Sequence, residues 1–430
     1  MTPVDAGSEA EKSGIASACS GIDAARKAQV PESRVHSSLN LHLRRLSPLV
    51  LGLSVVLMFV SGCANQDVVA ERADCASQDP AGEDAARFLA GLRGRPDGCF
   101  ASLERTPTWQ AYAGQLDRAW SELEQHQIQP VRDFQKRELS AIPSNSSFLF
   151  YPFSGPDVLY PRLFFPNCRL VVMVGLEPVG SLHVLYSYRE ANIESALRGW
   201  SQSLSSLFRR RFFVTGEMNR EFRGRVADGL LPMILLLLVR SGHRIDRMVY
   251  GQLSPSGEFV AEGDPAPGAE KLPDAGVEIE FHRESEATTR TLYYFSTDLA
   301  KGFGQDPRFA RFLHRLGPSD TLIKSASFLP HWSMCDAVRD FILQNSNLIL
   351  QDDTGVTFRQ LKALNWDVQL FGKYSHPDRP FQREYQPDLA KAFHVKANVH
   401  QLDFSLGYGA GRRQSSLMLA QRTAATLPPK

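Results

Sequence analysis

The chain is expected to fold as an α/β domain, a three-layer and mostly parallel sheet preceded by a helical N-terminal arm, and three observations predict it. Phe148–Tyr151 and Leu170–Val174 are short apolar runs rich in β-branched and aromatic residues, which reads as two strands buried on both faces. Leu230–Val239, LLPMILLLLV, is hydrophobic on every side yet only ten residues long, too short to cross a bilayer and suited to a helix buried against a sheet. The last third then alternates strands and helices: Thr321–Phe328, Ser333–Gln344, Asn347–Gln351, a short helix around Phe358–Leu364, and Trp366–Gly372.

Composition narrows function before any motif does. The 430 residues exceed one ordinary domain, and 48 basic residues balance 47 acidic ones for a net charge of +1. That balance argues against a nucleic-acid partner and against an electrostatically held membrane surface.

Taken in order, residues 1–38 are small, polar and aperiodic. Leu43–Cys63, LRRLSPLVLGLSVVLMFVSGC, places Arg44 and Arg45 before the apolar run Leu46–Val60 and closes with Val60-Ser61-Gly62-Cys63. This segment resembles a bacterial lipoprotein signal peptide (43–62). The resemblance implies diacylation of the Cys63 thiol, cleavage just before it and a membrane partner held through lipid. Ala64 is not aspartate, which by the same resemblance favours the outer over the inner membrane. Val60 stands where leucine is commonest, and the leader (1–62) is longer than such signals usually are. A translation start near Val35 or Leu39 would account for the length, leaving residues 1–34 as a start-site artefact. An uncleaved anchor is the competing reading of the same run.

Residues 63–104 read as a polar tether carrying a first helix at Glu83–Leu92. With Cys63 lipidated and Cys19 in the leader, Cys75, Cys99, Cys168 and Cys335 remain. In an oxidising compartment Cys75 and Cys99 could close a loop, with the other two buried as small apolar residues. Thr106-Pro107 is an N-cap signature, and Trp109, Tyr112, Leu116, Trp120 and Leu123 follow at helical spacing; Pro130 is expected to break this arm (105–142) before Val131–Ala141 resumes it. Residues 143–410 then form the α/β domain and 411–430 a flexible tail. Within the domain, residues 189–210 predict an amphipathic helix ending in Arg209-Arg210-Arg211. Ile245–Leu253 predicts a strand, Ser254–Gly276 a surface loop, and Val277–His282 with Arg290–Thr297 a hairpin.

Both central strands end in turns that carry a carboxylate, Ser154-Gly155-Pro156-Asp157 and Gly175-Leu176-Glu177-Pro178. A right-handed crossover between parallel strands would put both turns on one rim, where open α/β sheets bind ligands. Strand, glycine turn, short helix, strand and acidic residue resemble the start of a Rossmann-like, methyltransferase-type domain, in which the closing strand runs antiparallel; Trp366–Gly372 is the expected closing strand. Only Gly155 is present where nucleotide sites use two or three glycines, and Pro156 and Pro161 limit the crossover helix to a turn or two. The rim candidates are Ser154, Gly155, Asp157, Glu177 and Lys324. Lys324, in an apolar strand, must emerge at the rim or pair with Asp157 or Glu177.

Other chemistries are weakly supported. Ser154 or Ser181 with His183 or His331 lacks a nucleophile elbow. Asp298, Asp352 and Asp353 could hold a divalent cation, but Asp-Asp-Thr-Gly is an ordinary turn, and with no CxxC or Cys/His spacing neither a metal nor a cofactor is expected. The strings FYPFSGPDVLY, FFPN, GLEPVG and LQDDTG resemble a group of uncharacterised bacterial exported proteins across residues 105–410, which implies no catalytic residue. The expected function is a lipid-anchored extracytoplasmic protein that binds a small-molecule or envelope partner of unknown identity. The alternative is an enzyme with a degenerate Rossmann-like site centred on Asp157, Glu177 and Lys324.

Overall fold

Alternate residues of the two central strands face opposite ways and both ways are covered. Leu149, Tyr151, Val171 and Met173 enter one apolar cluster; Phe148, Phe150, Val172 and Val174 enter another. A strand with period-two side chains and no polar face is stable only between two layers. The computed structural model describes residues 75, 77–142, 146–210, 228–262, 274–304, 306–412 and 414–422. The lipobox with Cys63, the leader and Arg211 lie outside the described residues. No helix among the described residues is long and apolar enough to cross a membrane.

The strands are β1 (Phe148–Tyr151), β2 (Leu170–Gly175), β3 (His243–Leu253), β4 (Phe259–Ala261), β5 (Ala275–Arg283), β6 (Arg290–Ser296), β7 (Ser319–Ile323), β8 (Ser346–Gln351), β9 (Asp367–Gly372), β10 (Val399–His400) and β11 (Ser416–Gln421). They form one sheet in the order β10-β9-β11-β8-β7-β1-β2-β6-β5-β3-β4. The centre, β8-β7-β1-β2-β6, is parallel throughout. On its flanks β5 returns along β6, β3 along β5 and β4 along β3, while β11 runs against both β8 and β9 and β10 pairs parallel with β9 at the edge. The sheet is therefore mixed, a parallel centre to which the hairpin strands add at one edge and into which β11 inserts near the other.

One covering set comprises α1 (Glu83–Leu89), α2 (Pro107–Leu123), α3 (Gln129–Phe134), α4 (Leu159–Phe164), α5 (His183–Tyr186), α6 (Glu190–Arg210) and α7 (Leu231–Arg240), whose buried residues belong to the Leu149 cluster. The other comprises α8 (Leu299–Phe303), α9 (Arg308–Leu316), α10 (Asp336–Asn345) and α11 (Phe358–Ala363), which supply Leu299, Phe309, Phe341 and Leu361 to the Phe150 cluster. A third, smaller cluster joins α12 (Pro387–His394) to Leu370 and Met418. Helix α7 is the all-apolar run, and Leu231–Val239 are buried without exception. Pro232 sits in its first turn, where a missing N–H costs nothing.

Five expectations are corrected. Trp366–Gly372 is not the antiparallel closing strand: β9 runs in the same sense as β8, and the antiparallel strand between them is Ser416–Gln421, inside the segment expected to be a flexible tail. Leu417, Met418, Leu419 and Ala420 are buried there, and a strand with neighbours on both sides satisfies its backbone in full. The tether ends earlier than residue 104, since α1 buries Ala85, Ala86, Phe88 and Leu89 and packs on α7. Pro130 does not break the arm. A wide π-helical turn over Glu124–Ile128 precedes it, so Pro130 falls in the first turn of α3. Within the expected Ser254–Gly276 loop, Phe259–Ala261 forms the edge strand β4. The Thr106 cap stands as read, its hydroxyl accepting the Trp109 N–H at 3.3 Å.

Candidate functional site

The chain leaves β1 for β2 and β6 on one side, then returns to place β7 and β8 on the other, so the strand order reverses between β1 and β7. At such a reversal the two outgoing connections diverge and leave a crevice beyond the strand ends. Asp157 follows β1 and Lys324 follows β7, and they meet there: Lys324 Nζ lies 2.8 Å from Asp157 Oδ2, both side chains about as buried as the core, at 2% and 3% exposure.

The sequence builds this contact from both ends of one short stretch. Tyr151, the last residue of β1, donates its hydroxyl to Asp157 Oδ2 at 2.9 Å. Asp157 Oδ1 accepts the Tyr160 N–H at 3.4 Å, at the start of α4. The Tyr160 ring lies 4.3 Å from the Lys324 ammonium, giving the cation an aromatic face as well as a carboxylate. Tyr160 in turn accepts from Gln127 Nε2 at 2.7 Å, a bond from the helical arm. A buried ammonium is thus met by the Asp157 carboxylate and by an aromatic face that Gln127 braces from behind.

Ser154 and Gly155 serve the same corner differently. Ser154 Oγ lies 3.1 Å from both Val174 N and Val174 O, and Ser154 N donates to Val174 O at 2.8 Å, so the serine ties the end of β1 to the end of β2. Gly155 adopts φ +52°, and nothing lies within 4 Å of where a Cβ would project. Glu177 follows β2, where its carbonyl accepts the Tyr294 hydroxyl at 2.9 Å. Asp157 and Lys324 are thus brought together directly, while the contacts of Glu177 seen here run to β6.

A second carboxylate grips the next residue of the same loop. Asp352, at the end of β8, accepts Ser325 N–H on Oδ2 at 2.8 Å and Thr354 N–H on Oδ1 at 3.0 Å; Thr354 Oγ1 then takes the Ala326 N–H at 2.8 Å. Tyr408 closes the loop from outside, with its hydroxyl 2.7 Å from the Ser325 carbonyl and 2.9 Å from Ser327 Oγ. Held this way, Ser325, Ser327 and Phe328 adopt φ of +54°, +51° and +59°, a left-handed backbone that costs roughly 1–3 kcal/mol per residue. Burial raises the Asp352 carboxyl, opposed by its bonds to Thr354 and Ser325 and by Lys324. Asp353 is pushed up to about 7, first by burial and then by Asp352.

The remaining candidates are dispersed. Ser181 Oγ bonds Asp228 at 3.3 Å, and His331 Nδ1 faces Glu384 at 3.2 Å, its basicity lowered by burial and partly restored by that glutamate. Asp298 caps α8 through the Ala300 N–H at 3.1 Å. Among the described residues no three His, Cys, Asp or Glu side chains are grouped as metal ligands.

The chain matches no known protein family, no curated protein and no solved structure. What the site can do therefore rests on its own chemistry. Sequence reasoning missed Tyr151, Tyr160 and Tyr408. The first two stand in the FYPFSGPDVLY string, and period-two inspection of β1 places Tyr151 opposite Phe150; Tyr408 comes from a distant loop and carries no local signal.

Proposed function

We propose that the chain is a lipid-anchored extracytoplasmic protein that binds an envelope or small-molecule partner, built on a Rossmann-like, methyltransferase-like three-layer scaffold that no longer serves a cofactor. The reading is supported by the strand order β6-β2-β1-β7-β8-β11-β9, which reverses between β1 and β7 and has β11 alone reversed in direction, and by the helices packed in both apolar clusters. The observation that carries the reading is the buried Lys324–Asp157 pair, stacked on Tyr160, in the crevice where such a scaffold would take its ligand. S-adenosylmethionine does not fit this chemistry. The crevice offers one glycine in the first turn, and its lysine, Lys324, is already paired with Asp157. Lipidation is supported by Val60-Ser61-Gly62-Cys63 behind its apolar run.

The enzyme reading draws on one observation of its own, the left-handed backbone at Ser325, Ser327 and Phe328, since strained backbone gathers at functional sites. Expression of Cys63→Ala beside the native chain tests the main reading. The native protein should fractionate with membranes and accumulate as precursor when lipoprotein signal peptidase is inhibited with globomycin, and the variant should leave the membrane fraction or remain unprocessed. Identical size and fractionation of the two would overturn lipidation. Saturable heat on titrating S-adenosylmethionine into the purified protein would replace the binding reading with the enzymatic one.

A further inference from the structure

Away from the rim, a cavity of about 460 Å³ opens at the end of α5 and the start of α6, lined among others by Phe100, Leu103, Tyr186 and Tyr188. Cys75 and Cys99 both stand in its wall. Both are half-buried and pack against the large apolar cluster, and the Cys99 thiol is in hydrogen-bond contact with Cys75. All four described cysteines carry free thiols, and Cys168 and Cys335 are engaged elsewhere: Cys168 Sγ reaches the Leu170 carbonyl at 3.1 Å, and Cys335 belongs to the cluster on the opposite face. Between Cys75 and Cys99 the chain encloses α1, whose start is held by Asp79 through the N–H groups of Asp84 and Ala85 at 3.2 and 2.9 Å. Tyr186, from the cavity wall, bonds the same Asp79.

We propose that Cys75 and Cys99 are a modification site: they join as a disulfide that closes the loop around α1 and forms part of the cavity wall. The oxidant is a small-molecule disulfide. One thiolate attacks it, forming a mixed disulfide and expelling one small thiolate. The second cysteine then attacks the sulfur of the first, forming the internal bond and expelling the other small thiolate. Two protein thiols are oxidised, one disulfide is reduced to two thiols, and the two protons pass to the leaving thiolates. Cross-linking this loop removes conformations from the unfolded chain, so the oxidised protein should be the more stable form.

The test uses the full chain, reduced and then incubated with oxidised glutathione, with free thiols alkylated and counted by intact mass and the digest mapped. The expected result is the loss of two alkylation sites, a Cys75–Cys99 cross-linked peptide, and a rise in Tm of roughly 5 °C that a reductant reverses. Cys75→Ser and Cys99→Ser should each abolish the cross-link and the rise, while the double variant melts with the reduced native chain. Full alkylation after oxidation, glutathione adducts without an internal bond, or a cross-link to Cys168 or Cys335 would overturn the proposal. If the single variants fold poorly, the native peptide map still decides.

Discussion

Two aspartates stand beyond the ends of β1 and β8, the strands on either side of β7, and are held in different ways. Asp157 meets a full charge, the Lys324 ammonium at 2.8 Å; Asp352 meets backbone dipoles, the N–H groups of Ser325 and Thr354 at 2.8 and 3.0 Å. Consecutive residues of one loop thus answer to two carboxylates on either side of it. The ion pair fixes where the loop begins, and the dipole contacts fix the left-handed path it takes afterwards. A buried charge with a charged partner becomes costly when either member is removed, whereas a carboxylate bonded to amides loses local order first.

The largest effect should follow from breaking the ion pair on one side. Lys324→Met leaves Asp157 buried without its counter-charge, and Asp157→Asn leaves the ammonium without that carboxylate; each should destabilise by about 3–5 kcal/mol in urea unfolding. The double variant should recover much of that loss, a coupling visible in a double-mutant cycle. Additive losses, or single variants that melt with the native protein, would show that the pair is open to solvent and free to receive a ligand, and the enzyme reading would regain ground.

Removing Asp352 should matter less and more locally. Asp352→Ala strips acceptors from Ser325 and Thr354, at about 1–3 kcal/mol, and amide exchange should quicken across residues 325–328 before it does in β7. Uniform exchange through β7 and the loop together would refute the division of roles drawn between the two aspartates.

How much of this was legible beforehand follows from where each signal resides. The Asp157–Lys324 encounter was readable because a lysine in an apolar strand must find a counter-charge, and two turn carboxylates lay at the ends of predicted strands. The hairpin Val277–His282 with Arg290–Thr297 and the buried run Leu230–Val239 were readable for the same kind of local reason, a pattern dense in a few residues. Ser416–Gln421 was not. Its apolar core is only Leu417–Ala420, it follows a glycine- and arginine-rich stretch, and its place between β8 and β9 depends on partners more than 40 residues away. The role of Asp352 was hidden differently. Asp-Asp-Thr-Gly is a turn on its own terms, and only the return of β7 alongside β8 brings Ser325 within reach.

The smallest predicted effect separates Asp352 from its neighbour. Asp353, half-buried, has its carboxyl raised to about 7 by burial and by Asp352, so the folded protein retains a proton there that an unfolded chain, with an ordinary aspartate near 4, has released. A folded state that binds more protons loses stability as pH rises, so this contribution is present below about pH 4 and disappears as pH climbs through about 7. Asp353→Asn holds the position neutral at every pH. The variant should therefore match the native protein near pH 4, melt above it at pH 8, and flatten part of the decline between; the remainder belongs to Asp352, whose carboxyl burial also raises. Melting curves of both proteins at pH 4, 6 and 8 check this. Parallel profiles would mean that Asp353 is ionised throughout and that the dipole-held turn carries a full negative charge beside the loop, which would make the Asp352 side of the crevice, and not the ion pair, the place to look for a cationic ligand.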